Sequence, residues 1–282
     1  MCVLCIAIVR CYAFSRQVPL GNMSGLGTET PMNMIDFALN LLLGLALGAL
    51  GGLFGIGGGL IAIPALGVLF GLDQQMAQGT ALVMVVPNVL LALWRYHQRN
   101  RIELRHALTL AVSSFFCALL GAGWAVRLDA ESMRMGFVAF LVALAGYNLS
   151  RLYFRPAAGG TSLRQPWPWL AALGSGAGLL GGLFGVGGAV LAVPVLTGVF
   201  GVTQVIAQGL ALALAAPSTA VTLVTYGLHG HVDWLLAAPL ALGGLLSISW
   251  GVRLAHALPE RTLRLLFAGF LLLCALLLGL RI

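Results

Sequence analysis

Residues 51–64 read G-G-L-F-G-I-G-G-G-L-I-A-I-P, and residues 181–194 read G-G-L-F-G-V-G-G-A-V-L-A-V-P. The offset of 130 positions holds through to Pro87 and Pro217 without slipping. Gly55, Gly57, Gly58, Pro64, Phe70, Gly71, Gln74, Ala77, Gln78 and Gly79 recur as Gly185, Gly187, Gly188, Pro194, Phe200, Gly201, Gln204, Ala207, Gln208 and Gly209. About half of the positions are identical, which marks an internal repeat rather than shared composition. Each copy sets a glycine cluster and a proline inside strongly apolar sequence. Matching interruptions in two halves point to the binding site of a transporter.

Working outward, the rest of the chain is as apolar as this core. Of its 282 residues 60% are hydrophobic and 8% charged, and the mean hydropathy is +1.00. Soluble domains carry roughly a quarter charged residues, so a water-facing surface is excluded. The expected fold class is an all-α polytopic membrane protein of two homologous halves. The formal charge of +7 comes with arginine as the sole strong base. The arginines cluster in short connections, without the interleaved aromatics of a nucleic-acid face, so topology explains them and no nucleic-acid partner is expected. Cys2, Cys5, Cys11, Cys117 and Cys274 form neither a zinc spacing nor a disulfide frame. No metal or cofactor is expected.

Residues 1–34 differ from the remainder: a short apolar run is followed by Arg10 and Arg16, the reverse of a secretory signal. They read as a disordered or interfacial extension, or as a non-native start with Met32 or Met34 the true one. A first membrane repeat is expected over 35–155, a link over 156–166 and a second repeat over 167–282. Apolar segments fall at Ile35–Phe54, Ile56–Phe70, Ala77–Trp94, Ala107–Val126, Met133–Leu152, Trp167–Phe184, Val186–Phe200, Ile206–Tyr226, Trp234–Val252 and Leu263–Leu280. Most reach the ~20 residues that cross a bilayer. Ile56–Phe70 and Val186–Phe200 do not, and each fits either a re-entrant hairpin or a broken crossing, giving eight to ten segments in all. Gly44, Gly48 and Gly52, matched by Gly174, Gly178 and Gly182, lie four apart on one face and fit close helix packing rather than chemistry.

Arg95, Arg99, Arg101 and Arg105 crowd one connection, Arg151, Arg155 and Arg164 the link, and Arg253, Arg261 and Arg264 a third. The connection at 228–233 carries no arginine. Placing the arginine-rich loops in the cytoplasm puts equivalent loops of the halves on opposite sides. The halves are then inverted repeats with an odd number of crossings each. Two parallel repeats are the alternative.

Without any lysine, the glycine clusters lack the P-loop requirement, which excludes a nucleotide cradle of that kind. The turns either serve packing or expose backbone N–H groups at a helix N-terminus, where the dipole favours an anion. The candidate substrate-binding residues are therefore Gly55, Gly57, Gly58, Gly59, Gly185, Gly187 and Gly188. To these are added Gln78, Thr80, Asn88, Gln208 and Ser218, polar residues within apolar sequence that either bridge helices or meet substrate. Gln74 and Gln204 read as interfacial. Pro64, Pro87, Pro194 and Pro217 free the carbonyls of Leu60, Val83, Val190 and Ala213 and act as hinges or as shape. His229, His231 and Asp233 form a boundary cluster that reads as solvated loop or as part of a proton-coupled cycle. With no carboxylate pair and no Ser/His/Asp set, an enzyme is not expected.

The doubled signature, with A-Q-G-x-A-L at 77–82 and 207–212 and V-D-W at 232–234, resembles the sulfite exporter TauE/SafE family of membrane permeases. The resemblance spans roughly residues 36–280. It implies a multi-pass inner-membrane carrier of about eight helices that moves small sulfur-containing anions such as sulfite, sulfonates or thiosulfate-type species. Where the family typically carries a Thr-Ser pair, Thr80-Ala81 and Leu210-Ala211 stand here, which leaves the substrate open. The partners implied are a small anion, the bilayer and a coupling proton or ion. A drug or metabolite exporter and a non-transporting membrane subunit remain the alternatives.

Overall fold

A computed structural model describes residues 34–100, 103–154 and 167–279. The expected extension at 1–34, apart from Met34, and the link at 156–166 lie outside the described residues. Ten helices and no strand are present among the described residues. The first half supplies α1 Met34–Phe54, α2 Gly59–Phe70, α3 Gln74–Asn100, α4 Leu104–Ala125 and α5 Ala130–Phe154. The second supplies α6 Trp167–Phe184, α7 Ala189–Gly198, α8 Gln204–Leu228, α9 Trp234–Ala257 and α10 Glu260–Gly279. The protein is an all-α, multi-pass membrane protein. Among the described residues six helices (α1, α3, α4, α5, α8 and α9) are long and apolar enough to cross a bilayer. Large apolar side chains such as Phe116, Leu120 and Trp124 on α4, and Leu246 and Trp250 on α9, face outward, as lipid requires.

The two short helices, α2 with 12 residues and α7 with 10, span only about 18 and 15 Å at 1.5 Å per residue. Each begins three residues later than the apolar segment that contains it, because residues 55–58 and 185–188 are spent on a reversal. Gly55, Gly57 and Gly58 have φ of 66°, 71° and 93°, and Gly185, Gly187 and Gly188 have 69°, 70° and 72°. That left-handed backbone strongly favours glycine. The amide of Ile56 donates to the Gly51 carbonyl at 3.1 Å, and that of Val186 to Gly181 at 3.2 Å, so α1 and α6 close in Schellman ends. A Cβ on Gly51 would strike the Gly58 amide, and one on Gly181 the Gly188 amide. The chain therefore doubles back tightly, and α1–α2 and α6–α7 are helical hairpins. The four repeated prolines lie inside α2, α3, α7 and α8 without ending them.

Helix directions follow from the contacts. Along α1, positions Gly44, Gly48 and Gly52 meet Leu240, Gly244 and Ile248 of α9 in turn, so these helices are parallel. Gly174, Gly178 and Gly182 of α6 meet Leu110, Ser114 and Ala118 of α4 in the same way. A Cβ on Gly48 would stand 2.5 Å from Gly244 Cα, so the glycine face does the packing expected of it. Tyr96 reaches Gln208, and Tyr226 reaches Gln78, so the start of α3 meets the end of α8 and these central helices are antiparallel. Each outer helix of one half is thus built against a helix of the other.

One expectation is corrected. Gln74 and Gln204 are buried rather than interfacial; α3 and α8 start at these residues, earlier than the apolar pattern, and Asp73 accepts from the Met76 amide at 2.8 Å to cap α3. Of the boundary cluster, His229 is exposed, but Asp233 is half-buried and accepts from the Leu236 amide at 3.0 Å to cap α9.

Candidate functional site

The two hairpin tips meet at the centre of the molecule. A Cβ on Gly59 would lie 3.8 Å from the Gly185 carbonyl oxygen and 3.9 Å from Val186 Cγ1. Residues 55–59 and 185–188 are all buried. Neither α2 nor α7 has a side-chain cap on its N-terminus. The amides of Ile61 and Leu191 turn back to the Gly58 and Gly188 carbonyls at 3.3 and 3.2 Å, and the two amides ahead of each have no intrahelical acceptor.

Each tip is held by equivalent groups of both halves. Gln208 packs its Cβ and Cγ on Gly55, and Gln78 packs its own on Gly185. The Asn88 amide donates to the Gly57 carbonyl at 3.4 Å, and at the repeat-equivalent place the Ser218 hydroxyl donates to Gly187 at 2.9 Å. Val89 fills the space beside Gly57, and Thr219 that beside Gly187. Gly58 and Gly188 instead face the Leu47 and Ala177 carbonyls of their own hairpins. Gly55, Gly57, Gly59, Gly185, Gly187, Gln78, Asn88, Gln208 and Ser218 are brought into one cluster. Thr80 is not: its hydroxyl accepts from the Asp233 amide at 3.0 Å and anchors the α8–α9 connection. In this conformation side chains fill the space around both tips.

Two residues that the sequence reading missed complete the cluster. The hydroxyl of Tyr96 donates to Gln208 Oε1 at 2.8 Å and lies 3.2 Å from the Gly52 carbonyl. Tyr226 donates to Gln78 Oε1 at 2.8 Å and lies 3.2 Å from the Leu183 carbonyl. Both tyrosines are fully buried. They stand at the repeat offset from one another but beyond the span where the copies share most residues, so carrying the offset past Pro87 would have found them.

The halves differ in how completely these groups are satisfied. Gln208 Nε2 donates to the Leu53 carbonyl at 3.2 Å, whereas Gln78 Nε2 has no acceptor, and Asn88 Oδ1 has no donor. An unpaired buried polar atom costs about 1–3 kcal/mol, so each is either a strain or a place kept for a ligand. No group of three metal-ligating side chains exists among the described residues.

A family model described as "Sulfite exporter TauE/SafE" matches residues 40–278. The chain is 24% identical over 261 residues to "Probable membrane transporter protein YunE" of Bacillus subtilis, covering 85% of this chain and 96% of that one. It is 29% identical over 219 residues to a "Probable membrane transporter protein" of Xylella fastidiosa, covering 76% and 81%.

Proposed function

The chain belongs to the sulfite exporter TauE/SafE family of membrane transporters, and from that premise we propose a secondary carrier that exports small sulfur-containing anions, such as sulfite or sulfonates, by alternating access across an inner membrane. One observation carries the reading: two glycine hairpin tips meet, each beside a buried side chain with an unpaired polar atom, Gln78 or Asn88. Uncapped helix N-termini offer amides and a positive dipole end, which stabilise an anion without a buried cation. The substrate would bind between residues 55–59 and 185–188 once the tips part, with Gln78, Asn88, Gln208 and Ser218 around it. The antiparallel α3–α8 pair supports inverted repeats, in which the motion that opens one side is mirrored on the other. Pro64, Pro87, Pro194 and Pro217 are the candidate hinges, and a coupling proton or ion would supply the drive.

The test is efflux of radiolabelled sulfite and sulfonates from proteoliposomes. A Gly57→Leu, Gly187→Leu double variant that retains its fold is expected to lose flux, and undiminished flux would overturn the site. The filled space around both tips favours a second reading, a non-transporting membrane subunit. Folded native protein that passes none of these anions supports that reading instead.

A further inference from the structure

Resting on the carrier reading, we propose that Tyr96 and Tyr226 are positioning residues that act as two side-selective latches, one for each face of the membrane, and that the Tyr226 latch releases first. Each tyrosine joins three things that must separate if a hairpin tip is to move. Tyr96 ties the end of α3 to Gln208 at the start of α8 and lies against the Gly52 carbonyl of the first hairpin. Tyr226 ties the end of α8 to Gln78 at the start of α3 and lies against the Leu183 carbonyl of the second. Gln78 and Tyr96 are 18 residues apart on one helix, about 27 Å at 1.5 Å per residue, close to the ~30 Å hydrocarbon thickness. The latches therefore lie toward opposite faces, each against one tip through Gln208 on Gly55 and Gln78 on Gly185, with Asn88, Val89, Ser218 and Thr219 between them.

The latches are unequal. At the first, both amide atoms of Gln208 are bonded, to Tyr96 and to Leu53. At the second, Gln78 Nε2 has no acceptor, and turning the amide over would leave its oxygen unpaired instead. The second latch is one hydrogen bond short. The Tyr96 end carries Arg95 and Arg105, which places it in the cytoplasm. The weaker Tyr226 latch then lies on the outer side, and the empty carrier opens outward more readily than inward.

Labelling with a membrane-impermeant maleimide tests this on the full chain in nanodiscs, with no substrate present and the native cysteines replaced. The reporters are Ala77→Cys and Ala207→Cys, buried and repeat-equivalent positions beside the two latches. With both tyrosines intact, the Ala77→Cys reporter should label faster. Tyr226→Phe should raise labelling there about fivefold, the factor for one buried hydrogen bond, and leave the Ala207→Cys reporter unchanged. Tyr96→Phe should do the reverse. Hydrogen exchange on chains with native cysteines checks the same claim without reporters, with faster exchange at 183–188 in Tyr226→Phe and at 52–58 in Tyr96→Phe. Loosening of both sides by either change, or of neither, overturns the latches. Because no flux is measured, side-selective opening in a protein that passes no anion would remove the carrier reading and keep the latches.

Discussion

Replacing Gln78 and Gln208 with methionine should have opposite balances of stability and function, although the two residues are repeat-equivalent. Methionine keeps the length and flexibility of glutamine and removes both polar atoms. Gln208→Met breaks two hydrogen bonds, from Tyr96 at 2.8 Å and to Leu53 at 3.2 Å. Side-chain bonds between membrane helices contribute about 0.6 kcal/mol each on average and up to ~1.7, so the loss is about 1–3 kcal/mol. Gln78→Met breaks one bond, from Tyr226, and also removes an unpaired buried donor. Because removing that donor is worth about 1–3 kcal/mol, the net change is near zero or slightly stabilising. If the unpaired donor is held for substrate, Gln78→Met should nonetheless lose transport. Unfolding in mixed detergent, followed by tryptophan fluorescence, reads the first quantity, and proteoliposome efflux reads the second. Equal destabilisation by the two substitutions, or full flux in Gln78→Met, would refute the reasoning.

Gly48→Ala should lower the yield of folded protein and cost about 1–3 kcal/mol or more, since its Cβ would stand 2.5 Å from Gly244 backbone atoms. Gly176→Ala on α6, with nothing within 4 Å of its Cβ position, should be neutral or gain up to ~1 kcal/mol of helix propensity; fluorescence-detected size exclusion compares the two. Thr80→Val should free the Asp233 amide and cost about 1 kcal/mol, read as faster hydrogen exchange at 229–236. Asp129, in the α4–α5 connection, accepts from the Ser132 amide at 2.8 Å, and that bond holds its carboxyl below the usual value. A depressed folded pKa means its capping contribution is complete above the unfolded carboxylate value and is lost as pH falls through the folded one. Asp129→Asn should therefore flatten the acid limb of the stability profile, and an unchanged limb would count against the cap.

The repeat and the hairpins were legible because glycine and proline act locally: a left-handed turn at Gly55 or Gly185 leaves its mark on the residue itself. The clustering of Gln78 with Gly185 and of Gln208 with Gly55 was not, since each pairing crosses from one half to the other and no local periodicity encodes it. Thr80 shows the converse. Its place in the motif matched a site residue, but its hydroxyl is taken by the amide of Asp233, 153 positions away in sequence. The burial of Gln74 was hidden for a similar reason, because a polar residue at a helix start looks wet until the neighbouring helices are known.

The parallel pairing of α1 with α9 and of α4 with α6 bears on how the protein is made. When the ribosome has finished the first half, α1 faces the bilayer with its glycine stripe open, and α9 does not yet exist. The early segments must wait in lipid, or beside an insertase, until residues beyond 234 emerge. A nascent chain stopped at the link between the halves would therefore be a target for membrane proteolysis, and co-expressing the halves as two fragments should rescue what either alone cannot build.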